Sequence, residues 1–226
     1  GVERVIEYAI WWDWDVQHLY ELEHIWLKLD GADRIVGVEA SAHGGKFAMP
    51  GPDGTLPLVD GRVTLVSTPG KHAFTATPAQ QDKTRELTEI CCAELAGRGG
   101  LLINDMFRDA IGPVSAADHR AVKRYLQARA FAPVFRFGQS VDLATLEMVS
   151  WEDLAAWIPG RVRDILAEIR AEQPLLKAVF LDSGDTLVDE GTEVFDDDGY
   201  VIEANLIPGA LEMVEALTAE GYRLAL

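Results

Sequence analysis

The run Ala178-Val179-Phe180-Leu181 is continuously apolar and stops abruptly at Asp182, in a polar turn that contains Gly184. Apolar residues without alternation fit a strand covered on both faces, the environment of a parallel sheet. The next residues keep to this pattern. Val194 to Asn205 reads as a hairpin around Asp196-Asp197-Asp198-Gly199. Pro208-Gly209 then opens a helix with Leu211, Val214 and Leu217 turned inward, Gly221 closes it, and Arg223 to Leu226 begins a second strand. Strand, hairpin, helix and strand in this order predict an α/β segment, the start of a doubly wound parallel sheet.

At the carboxyl end of the first strand of such a sheet, a carboxylate faces the crevice where ligands bind, and the turn beyond it offers free backbone N–H groups. The string Phe180-Leu181-Asp182-Ser183-Gly184-Asp185-Thr186-Leu187 resembles the first motif of the haloacid dehalogenase-like (HAD) hydrolase superfamily. Ile207-Pro208-Gly209-Ala210 and the stretch Ala219 to Leu226 resemble the segment after that motif in members without a large cap at this point. The resemblance covers about residues 176–226. It implies a hydrolase acting on a phosphate ester, in which Asp182 attacks the phosphoryl group and becomes a covalent aspartyl intermediate. It further implies Mg²⁺ held by Asp182 and the backbone of Gly184, with Ser183 and Thr186 contacting a small-molecule substrate. A carboxylate fixed beside a cation in a narrow crevice can displace an alcohol from phosphorus, because positioning and charge neutralisation are most of what that step needs.

The sequence departs from the pattern at one position. Phosphatases of this superfamily usually place a second Asp two residues after the nucleophile, to protonate the leaving oxygen, and here that position is Gly184; Asp185 comes one residue too late. The later Ser or Thr, the Lys and the acidic motif of the superfamily are expected beyond Leu226, so these 226 residues alone are expected to be inactive. The absence of an initiator Met and the apolar end at Leu226 likewise suggest a piece of a longer product.

The preceding residues are of a different kind. From Pro174 onward only Lys177 and Arg223 face twelve carboxylates, whereas all six Trp lie earlier. A proline at 174 discourages continuation of the preceding helix, which places a boundary near Gln173-Pro174. Val5 to Trp12, Ile25 to Leu29, Arg34 to Ser41 and Arg62 to Thr68 read as strands, and residues 49–61 as loop. Pro78 to Ala96 and Ala116 to Arg129 read as helices. Ser150-Trp151-Glu152-Asp153 has the form of a capping box, opening a helix that Pro159-Gly160 interrupts before Arg161 to Glu172 resumes it. The expected organisation is a β-rich α+β domain over residues 1–149, connecting helices over 150–173 and the α/β segment over 174–226.

Four of the five His fall in the strand-rich stretch before the first helix: His18, His24, His43 and His72, accompanied by Asp13, Asp15, Glu21 and Glu23. Each His sits at a predicted strand end or in a Gly-bearing loop, where side chains from separate strands converge. Imidazoles with carboxylates suit Zn²⁺, Mn²⁺ or Fe²⁺. The strings Glu23-His24, Ser41-Ala42-His43 and Gly70-Lys71-His72-Ala73 resemble, in their order, the metal-binding β-sandwich of necrosis-inducing-like proteins, although that family's longer metal-binding heptapeptide is absent. The candidate ligands are His24, His43, His72, Glu23 and Asp15. On this reading the alternative to a hydrolase is a degenerate HAD-like protein whose His-rich domain is a metal- or ligand-binding module.

Composition narrows the rest. A chain of 226 residues, 48% hydrophobic and 25% charged, can bury a sizeable core. Its net charge of −17 repels nucleic acid and anionic lipid, and no apolar run reaches the roughly 18 to 20 residues that span a bilayer. Neither nucleic acid nor membrane is an expected partner. The two cysteines, Cys91 and Cys92, are neighbours whose side chains diverge, which argues against a structural disulfide and fits a reducing cytoplasm. The loop Gly97-Arg98-Gly99-Gly100 reads as a helix stop, and His119 as the solvated face of a helix.

Overall fold

In a computed structural model the described residues are 1–42, 44–172 and 178–226. The boundary at Gln173-Pro174 and the candidate ligand His43 lie outside them.

Aromatic and β-branched residues fill the first strands, β1 (Arg4–Trp14) and β2 (Leu19–Leu29). With β3 (Ile35–Ala42) and β4 (Gly45–Ala48) they form an antiparallel meander in the order β1-β2-β3-β4. Asp30 tightens the turn between β2 and β3 by accepting the N–H groups of Ala32 and Arg34. Two small hairpins come next, β5 (Leu58–Val59) with β6 (Arg62–Val63), and β7 (Val66–Ser67) with β8 (Phe74–Thr75). The single strand expected over 62–68 is thereby split between two partners: the left-handed turn Asp60-Gly61 returns β6 onto β5, whereas β7 pairs forward across the turn at Gly70.

The helix expected over 78–96 is a short α1 (Pro78–Gln81), a tight 3₁₀ turn and α2 (Arg85–Cys92). An unanticipated α3 (Asp105–Ile111) begins where the Asn104 side chain accepts the Met106 N–H, and α4 (Ala116–Gln127) starts on a Ser115–Asp118 capping box. The last of this group, α5 (Trp151–Glu172), is capped at Ser150 as expected, but Pro159 does not interrupt it. Proline within a helix costs about 3 kcal/mol. Here Ile158, Pro159, Val162, Ile165, Leu166 and Ile169 are all buried, and burial at about 1.5 to 3 kcal/mol per large apolar side chain exceeds that cost.

Strand alternation sends side chains to two cores. Trp11, Leu19 and Leu22 pack with Phe107, Val122, Leu126 and the buried stripe of α5, so the helix expected to act as a connector completes this core. Tyr8, Ile10, Ile25, Val38 and Ala40 pack against Met49 and Phe74 from the loop and hairpin region.

The C-terminal segment has the expected order. β9 (Ala178–Phe180) is succeeded by the hairpin β10 (Val188–Phe195) and β11 (Val201–Leu206), by α6 (Ala210–Ala219) and by β12 (Arg223–Ala225). β12 lies parallel to β9, with Leu224 opposite Val179. The expected burial of residues 178–181 is not found, since Phe180 is 81% exposed. Among the described residues, Phe180 projects where no element covers it. A parallel pair is present among the described residues, and a wider doubly wound sheet is not. Among the described residues, no helix is long and apolar enough to cross a membrane.

Candidate metal centre

Asp15 to His18 join β1 to β2, and the glycine loop 97–100 holds this turn in place. Gly97 N–H donates to Val16 O at 2.8 Å, Gly99 N–H to Gln17 O at 2.8 Å, and Leu19 N–H to Gly100 O at 2.9 Å. Glycine is required at 97, where φ is 72° and a Cβ would strike the carbonyl of Lys123 in α4. The loop therefore clamps the turn against α4. His119 contributes to the clamp by accepting the Leu101 N–H through Nδ1 at 3.2 Å, so it is half-buried beneath Gly100 rather than on a solvated face.

The clamped turn gathers Asp15, His18 and Glu21, whose donor atoms lie within 4.8 Å of one another. Donors that share an ion at about 2.2 Å can be at most about 4.4 Å apart, so closing on a cation needs a movement of only tenths of an ångström. The Tyr20 carbonyl, 3.0 Å from His18 Nδ1, can only accept, which puts the proton on Nδ1 and leaves Nε2 of the neutral ring as a ligand atom. That Nε2 is 3.5 Å from Glu21 Oε2. Burial pushes the Glu21 carboxyl up; His18 pulls it down, and Glu23 and Asp15 add to the rise.

Asp15 is fully buried. Its Oδ1 accepts from Lys71 Nζ and from the Gln17 N–H, each at 2.7 Å. Its Oδ2 has no hydrogen-bond partner among the described residues. A buried carboxylate oxygen without a donor costs about 1 to 3 kcal/mol or more, and a site that retains one calls for an explanation. One imidazole nitrogen with two carboxylates is a donor set that a divalent ion would satisfy. His18 and Glu21 also line a cleft of about 1600 Å³, whose other walls include Trp11, Trp26, Met148 and Trp157.

The candidate ligands meet only in part. Asp15 lies in the cluster, and Glu23 is buried beside it, accepting from Ser41 Oγ. His24 does not join them. The register sets Glu23 opposite Ile10 and His24 opposite Ala9, so their side chains leave opposite faces of β2, and His24 instead pairs with Glu7 at 2.8 Å and stacks on Trp26. His72 is near the cluster, but its Nε2 donates to the Trp14 carbonyl at 3.0 Å and its ring stacks on Trp12 at 4.0 Å. Burial holds its pKa below the ordinary histidine value, so it packs as a neutral ring. Asp13 is paired with Arg161. Sequence alone does not bring His18 and Glu21 together, because residues three apart on a regular strand point to opposite faces. The left-handed backbone at Tyr20, φ 46°, breaks the alternation and lets them meet.

In the C-terminal segment, Asp182 is exposed two residues beyond the end of β9. Ser183, Gly184 and Thr186 share its turn, in which the Ser183 carbonyl accepts the N–H groups of Leu187 and Val188. A Cβ on Gly184 would collide with the Glu190 carboxylate, so an acidic group reaches over the position that lacks one in sequence. The acidic hairpin tip is ordinary turn chemistry, with Asp196 accepting the N–H groups of Asp198 and Tyr200.

In comparisons with family models, curated proteins and solved structures, nothing matches this chain. Its functional reading therefore rests on geometry.

Proposed function

We propose that the N-terminal part of this chain is a divalent-metal-binding module, with Asp15, His18 and Glu21 as ligands and the open side of the ion toward the large cleft. The observation that carries this reading is the buried, unpartnered Oδ2 of Asp15 within a set of converging donors. A bound cation would supply Lewis acidity and an anchor for an oxygen atom of a ligand in the cleft. Tyr20 fixes the tautomer of His18, and the glycine loop fixes the turn. Mn²⁺ and Zn²⁺ span the ions that suit this donor set. Titration calorimetry with each should give one site per chain, lost in His18→Ala and in Glu21→Gln. Binding that survives both substitutions would place the ion elsewhere.

A second reading concerns the C-terminal segment, which we propose is the start of a HAD-like phosphoryl-transfer unit with Asp182 as nucleophile and Mg²⁺ beside it. The parallel pairing of β9 with β12, and Asp182 just past the strand end, favour it. On this reading the substrate is a small phosphate ester, and the two free, buried cysteines are in keeping with a reducing compartment. Mg²⁺-dependent hydrolysis of a phosphate monoester by the full-length gene product, abolished in Asp182→Asn, is the test.

A further inference from the structure

Lys71 is tied into the cluster by a buried ion pair. Its Nζ lies 2.7 Å from Asp15 Oδ1, with the two side chains 8% and 0% exposed. The backbone that carries Lys71 is also pinned. Lys71 N–H and His72 N–H both donate to the Thr68 carbonyl, Thr68 N–H donates to Ala73 O at 2.7 Å, and Val16 N–H donates to Gly70 O at 2.8 Å. His72 carries a left-handed φ of 61° within this turn. The loop that carries Lys71 is thus stitched to the residue after Asp15 and includes a left-handed residue next to Lys71.

The two oxygens of Asp15 are in different situations. Oδ1 accepts from Lys71 and the Gln17 N–H, while Oδ2 is buried without a hydrogen-bond partner among the described residues. A cation accepted by Oδ2 would therefore sit one carboxylate away from a buried ammonium, in surroundings where charges interact far more strongly than in water. Structural metal sites usually depend on the ion for folding, because deprotonated ligands repel one another without it. This site already contains a positive charge of its own.

Resting on the metal reading of Asp15, His18 and Glu21, we propose that Lys71 is a built-in counter-cation. It neutralises and orients Asp15 when no ion is bound, and it weakens the hold on the ion by repulsion. The site then exchanges its divalent cation and does not need it to fold. In this scheme Lys71 does not bind the ion; it acts as a positioning residue through its ion pair with Asp15.

The sign of one measurement separates this role from a merely structural one. Mn²⁺ affinity and thermal melting are compared in the wild-type chain, Lys71→Met and Lys71→Arg. Lys71→Met keeps the length of the side chain and removes its charge. It should melt lower without Mn²⁺, recover at saturating Mn²⁺, and bind Mn²⁺ at least tenfold more tightly than wild type, while Lys71→Arg stays close to wild type in both respects. A side chain that served only to pack would give weaker binding when replaced. A folded Lys71→Met that binds Mn²⁺ no more tightly than wild type overturns the proposal. So does a Lys71→Met chain that fails to fold even with Mn²⁺ present, because the ion should replace the missing charge. Failure of all three chains to bind Mn²⁺ is a different result, and it removes the metal reading itself.

Discussion

Arg161 reaches from the middle of α5 to Asp13 near the end of β1, with Nη2 2.6 Å from Oδ2 and Nε 3.1 Å from Oδ1. This two-pronged pair holds the Asp13 carboxyl below its ordinary 3.8; burial opposes the shift, and the Trp11 Nε1–H adds to it. A carboxyl whose pKa is lower in the folded chain stabilises it above the unfolded value and ceases to do so as the pH falls through the folded value. Asp13→Asn should cost about 1 kcal/mol at pH 7, modest because both side chains reach solvent. Urea titrations should show that difference shrinking below about pH 3.8. A cost that stays constant down to pH 2 would assign the effect to packing.

Gly97→Ala tests the clamp on the metal-bearing turn. A methyl group there meets the Lys123 carbonyl, and the left-handed backbone adds its own penalty of about 1 kcal/mol. We expect a total loss of at least about 2 kcal/mol in chemical denaturation. Mn²⁺ binding should also weaken, because the Gly97 N–H that anchors Val16 shifts with the loop. Unchanged affinity in a destabilised variant would uncouple the loop from the cluster.

The buried thiols make a prediction about reactivity. Burial, with Cys91 and Asp15 adding to it, pushes Cys92 up to about 11. The thiolate is the reactive form, so at pH 8 the folded chain should alkylate at Cys92 far more slowly than the chain in urea. Comparable rates in the two states would contradict the packing of Cys92 against Val16 and Ala96.

Glu190 offers a test of the C-terminal reading. Its carboxylate reaches over Gly184, and on the proposed phosphoryl-transfer reading it would be the group to protonate the leaving oxygen. In the full-length gene product, Glu190→Gln should slow hydrolysis of an alkyl phosphate by about 10² or more and that of nitrophenyl phosphate much less, because a good leaving group needs little protonation. An equal effect on both substrates would exclude proton donation by Glu190.

Much of the architecture is written in patterns that read locally. The aromatic run of β1, the Asp30-Gly31 turn, the capping box at Ser150 and the strand, hairpin, helix, strand order after Lys177 all lie where the sequence places them. The misreadings share a cause, in that distant contacts decide the outcome. Pro159 is tolerated because the core holds α5 together, and Phe180 is exposed because no further layer covers it. The candidate site obeys the same rule. Asp15 is readable as a carboxylate at a strand end, whereas its meeting with His18 and Glu21 depends on a single left-handed residue, Tyr20, and its ion pair with Lys71 joins positions 56 residues apart.

The helix that closes the first core is the last part of that core to be synthesised. β1 and β2 can pair as soon as both have been made, yet the partners of Trp11 and Leu22 on α5 come more than a hundred residues later. Until then that face of the meander is covered only by Phe107, Val122, Leu126 and their neighbours from α3 and α4, and contacts so distant in sequence form slowly. The first core of this chain is therefore complete only once α5 has been made.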